Sequence, residues 1–328
     1  MTPRAKNALL FAFKVALAAA LVTWLVRGGA LDFGKLRVLV DRPALLAATL
    51  GTFAFGIVMN GIRWGILLRL AGVRPSFGRL MQLQLTAVFF NVVVPGNVGG
   101  DVLKALYVAR DAEPEKRTGI FLTVFADRLL GLGGLAVMAM VVTVARGPRL
   151  WNDPLLRPMA ALVGLLGAAT VLGPAALVLV MKTHGDKIER ILGGTSRIAK
   201  LLGQLVAALR LMSARPRALA GALGVAMIYH AAVMGYFTLL TGAVSGQDAS
   251  YSTIATVFPL GLLTIVLPIS PAGMGVGHVA FDKLFAAIGL TGGANVFNVF
   301  IIGQIAPCLL GAFAYLSLKR ESGAPPVA

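Results

Sequence analysis

The stretch VVVPGNVGGDVLKAL, residues 92–106, decides the fold. It breaks an apolar run with Pro95, Gly96, Gly99 and Gly100. The segments on either side, 80–94 and 101–110, are each about 10–15 residues, or about 15–22 Å of helix. That reaches the middle of a bilayer and not its far side. A second stretch, VLPISPAGMGVGHVAFDKL at residues 266–284, repeats the design. There 254–268 is apolar, Pro271, Gly273 and Gly275 interrupt it, and 277–290 resumes. Each pair reads as a re-entrant helical hairpin, because irregular backbone at membrane depth is tolerated only where protein or a cavity surrounds it. The alternative is two full spans with Pro/Gly kinks. The length of 80–110 and the density of Gly and Pro at its break weigh against that.

Composition places both stretches in a membrane. Of 328 residues, 58% are hydrophobic and 13% charged, against a usual ~25% charged. Mean hydropathy is +0.84. These values exclude an ordinary soluble domain, a disordered chain and a collagen-like chain. The 39 glycines suit close helix packing in lipid. The net charge of +17 would suggest nucleic acid in a soluble domain. Here the basic residues fall mostly between apolar runs, so the expected partner is the anionic membrane surface and not nucleic acid. The single cysteine, Cys308, excludes an intrachain disulfide and a cysteine-cluster metal site. No metal site or cofactor is expected.

Six segments are long enough to span: 8–26, 44–70, 119–145, 159–181, 218–244 and 296–318. The first could pass for a signal peptide, but its length favours an uncleaved anchor. With the N-terminus inside, 19 of the 30 Lys and Arg fall on the cytoplasmic side, 8 outside and 3 within spans. This bias predicts both termini in the cytoplasm. The first hairpin then enters from the cytoplasm and the second from outside, the mark of an inverted repeat with a binding site near the midplane. The expected fold is an all-α polytopic membrane protein, with six transmembrane helices and two opposed re-entrant hairpins, in one domain over 1–318. Residues 182–217 read as an interfacial amphipathic segment. The tail 319–328 reads as disordered.

Charges in lipid cost about 2.5–3.5 kcal/mol each on insertion scales, so each needs a reason. Arg63 and Asp127 lie about 10 and 12 Å from the cytoplasmic ends of their spans, which makes them candidate partners. Arg128 points elsewhere and needs a lipid phosphate or Asp101. These residues are either structural or substrate contacts. Gly99, Gly100 and Asp101 begin a half-helix whose backbone N–H groups favour an anion, with Lys104 one turn on. Asp101 could instead be a plain N-cap. At the second break Gly273, Gly275 and Gly277 precede His278, which is either a ligand contact or a buried neutral histidine bonded locally, with Asp282 as a possible partner. The glycines could equally serve tight packing of the tips. Asn60 is a weaker candidate, and His230 reads as a packed interior histidine.

The string FNVVVPGNVGGDVLKA (90–105), the Asp127-Arg128 pair in the next span, and PISPAGMGVGH (268–278) resemble the flippase-like transmembrane family that includes the membrane domain of lysylphosphatidylglycerol synthases. At the second break the family pattern is closer to Pro-Gly-Gly-x-Gly followed by Glu. Here Ala272 and His278 stand instead. The resemblance implies movement of a phosphate-bearing lipid between leaflets of the cell (inner) membrane. It does not imply aminoacyl transfer, since the chain ends soon after its last span, and no enzyme activity is expected. A membrane-embedded lipid-modifying enzyme and a non-transporting subunit are the alternatives.

Overall fold

In the computed structural model the described residues are 34, 37–93, 99–146, 154, 156–192, 215–266 and 275–321. Among them the secondary structure is entirely helical. Four stretches are long and apolar enough to cross a membrane: Pro43–Leu70, Pro114–Ala145, Pro216–Ser245 and Gly293–Leu318. The expected span at 8–26 and the tail beyond Glu321 lie outside the described residues.

In chain order the helices are α1 (Pro43–Leu70), α2 (Phe77–Val93), α3 (Gly99–Arg110), α4 (Pro114–Arg146), α5 (Leu156–Leu192), α6 (Pro216–Ser245), α7 (Tyr251–Val266), α8 (Val276–Ala287), α9 (Gly293–Ile305) and α10 (Gly311–Glu321). Proline sits at the start of α1 and α6, where its missing N–H costs nothing and its fixed φ suits the first turn. A 3₁₀ turn at Ala306–Leu310 separates α9 from α10. It contains Pro307, which cannot donate to the preceding turn. Helix α5 continues past 181 to Leu192, so the amphipathic segment expected from 182 begins as its extension; 193–214 are outside the described residues.

Side-chain contacts fix the directions. Leu67 and Leu70 pack with Ala218 and Leu219, while the Thr49 hydroxyl lies 2.7 Å from that of Tyr236. Helices α1 and α6 are therefore antiparallel neighbours. Helices α2 and α3 double back on each other: Arg79 meets Asp111 at 3.8 Å at their open end, and Gly100 meets Ala87 near the break. A single kinked helix over 80–110 would hold these residues far apart. Helices α7 and α8 also double back, with Gly277 against Ile265 and Gly261 against Phe281.

The first hairpin opens at the Leu70/Ala218 end of the bundle. The second opens at the other end, where Gln247 bonds Thr291. The packing is reciprocal: α2 lies on α10, and α7 lies on α4. The outer faces of α4 and α5 carry exposed Phe125, Leu129, Val144, Leu165 and Leu172, a surface suited to lipid and costly in water.

Candidate functional site

Five charged side chains meet where the first hairpin's returning arm crosses α1 and α4. Asp101 stands in the first turn of α3, and Lys104 follows one turn later on the same face. The Lys104 ammonium lies 2.9 Å from an Asp101 oxygen and 3.5 Å from an Asp127 oxygen. Arg63 Nε donates to the Asp127 carboxylate at 2.6 Å. Arg128 reaches Asp101 through Nε at 2.7 Å and Nη2 at 2.6 Å. The order is Arg63, Asp127, Lys104, Asp101, Arg128, with signs alternating along it. Both pairings anticipated from the sequence, Arg63 with Asp127 and Arg128 with Asp101, are present.

Burial makes the alternation necessary. Lys104 and Asp127 are 2% and 6% exposed, while the Arg128 side chain is 36% exposed. A buried charge without a partner is strongly destabilising, and here each carboxylate lies between two cations. Asp101 therefore does more than cap a helix: its carboxylate is taken by Lys104 and Arg128. The local cap comes from Asn91 of α2, whose side-chain oxygen accepts from the Gly100 N–H at 2.9 Å.

Several supports were not legible as site residues. The Trp64 ring lies 4.7 Å from the Lys104 ammonium, a cation–π contact. The Trp64 indole N–H donates to Thr123 Oγ1 at 3.0 Å, which fixes the ring. Gly131 leaves room for Arg63, since a Cβ there would come within 3.1 Å of the guanidinium. The signal that could have found Trp64 is an internal repeat. Arg42-Pro43 and Arg215-Pro216 open α1 and α6 alike, and Trp64 and Phe237 then stand at the same distance from them.

The glycines have distinct surroundings. A Cβ on Gly100 would run into the backbone carbonyl of Ala87, and one on Gly277 into the Phe297 ring. Gly275 faces open space but has φ of 85°, in the region that side chains avoid. His278 accepts from the Gly275 N–H at 3.3 Å and lies 3.4 Å from the Asn298 side-chain oxygen. Asp282 is exposed and makes no bond to it. Asn60 donates to its own helix at Gly56, and the His230 ring bonds the Gly131 carbonyl at 3.0 Å. Gly99 starts α3. Pro95, Pro271 and Gly273 lie outside the described residues. Among the described residues no cluster of His, Cys, Asp or Glu could hold a metal.

An all-helical bundle with four membrane-length helices and a buried ionic cluster defines a multi-pass membrane protein. The chain belongs to the family of the lysylphosphatidylglycerol synthase TM region, whose model matches residues 11–311. It is also similar to a UPF0104 membrane protein of Methanothermobacter thermautotrophicus, 24% identical over 93% of this chain and 92% of the relative. A UPF0104 membrane protein of Pyrococcus horikoshii is 22% identical over 96% of this chain and 98% of the relative. No solved structure matches.

Proposed function

We propose that the protein moves a lipid with an anionic phosphate headgroup between leaflets by alternating access. The observation that carries this reading is the buried cluster of Arg63, Asp127, Lys104, Asp101 and Arg128 at the inner end of a helix hairpin. Such a cluster is costly in lipid, and intramembrane ionisable groups mark pathways for polar cargo. In this reading the two hairpins are re-entrant, six helices span, and both termini are cytoplasmic. The tips at Pro95, Gly99 and Gly100 and at Pro271, Gly273, Gly275, Gly277 and His278 flank one site near the midplane. The headgroup phosphate sits beside Arg128, the most exposed cation of the cluster, with Lys104 and Arg63 behind it. Acyl tails stay in the bilayer.

Rocking of one half against the other exposes the site to each leaflet in turn. Binding and conformational exchange suffice, with no covalent step. The test is leaflet exchange of a fluorescent anionic phospholipid in proteoliposomes. Wild type should exchange the probe faster than protein-free vesicles. Arg128→Ala should reconstitute normally and lose most of that exchange. Exchange at the wild-type rate in Arg128→Ala, or a chemically altered lipid recovered from the vesicles, would contradict the reading.

A further inference from the structure

The charge count of the cluster limits which phosphate it can hold. Among the described residues it contains three cations, Arg63, Lys104 and Arg128, and two carboxylates, Asp101 and Asp127. The cluster as a whole carries one positive charge in excess. The other described acids, Asp41, Asp111, Glu113, Glu115, Asp248 and Asp282, are exposed and belong to the ends of the bundle. Lys104 is held between the two carboxylates and against Trp64, and Arg63 is buried on Asp127. Neither can turn towards a ligand without leaving a carboxylate short of a partner.

From this balance we propose that the site is selective for a phosphodiester headgroup with a single negative charge, and that it discriminates against a phosphomonoester dianion. The inference rests on the transport reading above and deepens it. A monoanion neutralises the cluster. A dianion leaves one uncompensated negative charge in a medium of low dielectric, where such an imbalance is far more costly than in water. A zwitterionic headgroup brings its own cation and leaves the excess charge of the cluster unmatched. The alternating order lets the phosphate share Arg128 with Asp101 while the Arg63–Asp127 and Lys104 contacts remain in place.

The experiment compares two fluorescent lipids of equal chain length, phosphatidylglycerol and phosphatidate, in phosphatidylcholine vesicles containing the full-length protein. The second ionisation of a phosphomonoester lies near pH 6, so phosphatidate is a dianion at about pH 8 and mostly a monoanion at about pH 5. At about pH 8, phosphatidylglycerol should exchange about tenfold faster, a modest return on one buried unit charge. At about pH 5 the ratio should approach one, with phosphatidylglycerol at each pH correcting for any change in the protein. Asp101→Asn adds a second excess positive charge and should move the ratio at the higher pH towards phosphatidate. If that variant fails to fold, the wild-type ratio and its pH dependence still decide the matter. Equal exchange of both lipids at the higher pH would overturn the selectivity while leaving transport standing. No protein-dependent exchange of either lipid would overturn both.

Discussion

Lys104 and Phe281 occupy corresponding places in the two hairpins. Each is the sixth residue of the returning arm, preceded by a glycine in the second position and by Asp101 or His278 in the third. The Lys104 ammonium lies over Trp64 at 4.7 Å; the Phe281 ring lies 4.9 Å from Phe237. Lys104 meets Asp127 of α4; Phe281 stacks on Phe297 of α9 at 5.0 Å. Asp101 binds Arg128; His278 faces Asn298. One set of helix crossings is thus filled by ions in one half and by aromatic rings in the other.

The difference is physical in kind. Aromatic pairs add about 0.5–1.5 kcal/mol each beyond area burial and need a fixed geometry. Phe237, Phe258, Phe281, Phe297 and Phe300 form such a core at the second hairpin. Ionic crossings need partners and can admit an anion in place of one. In the proposed mechanism the first hairpin supplies the exchangeable charges and the second supplies the rigid half that it moves against.

The sharpest way to break this comparison is to remove one ion. Arg63→Ala leaves Asp127 buried with Lys104 alone and should destabilise by about 3–5 kcal/mol. In a detergent melt, the double change with Asp127→Ala should be milder than the sum of the singles. Additive losses would mean that the pair contributes no coupling. Phe281→Ala should cost a similar amount, about 3–5 kcal/mol, yet respond differently to a rescue. Phe281→Leu should recover most of the loss, whereas Arg63→Leu should not, because shape alone cannot satisfy a carboxylate.

Next in size come the close approaches. Gly100→Val must push the Ala87 carbonyl aside and Gly277→Val must displace the Phe297 ring. Overpacking of this kind costs about 1–3 kcal/mol. The backbone contact should make Gly100→Val the worse, read as folded yield. Gly275→Ala has room for its Cβ but must adopt a left-handed backbone, at about 1–2 kcal/mol. The smallest effect belongs to Trp64→Phe, which keeps a ring under Lys104 and loses the bond to Thr123, at about 0.5–1.5 kcal/mol. A loss as large as that of Arg63→Ala would show that the indole does more than support Lys104.

Much of the first half was legible because charges are conspicuous in an apolar chain. Arg63, Asp127, Lys104, Asp101 and Arg128 stand out by residue type alone, and matching depths suggested one pairing. The breaks at 95–100 and 269–276 were legible because Pro and Gly interrupt runs too short to span. The aromatic counterpart was not legible, since phenylalanine in a membrane chain is indistinguishable from ordinary apolar filling until the rings are placed. Asn91, Gly131 and Trp64 were missed for a related reason: each acts through a contact between distant helices. Gly100 was legible as necessary, but the sequence did not say that a helix backbone, Ala87, is what presses on it.

The central claim is that the two hairpins enter the membrane from opposite faces, the ionic one from the cytoplasm. It is tested most directly by single cysteines at Ala112, beside the open end of the first hairpin, and at Asp248, beside that of the second, in a Cys308→Ser background. Intact right-side-out cells are treated with a membrane-impermeant thiol reagent before and after permeabilisation. The account predicts labelling at 248 in intact cells and at 112 only after permeabilisation. Labelling of both positions from outside, or of neither until permeabilisation, would place the two openings on one face and contradict the opposed arrangement.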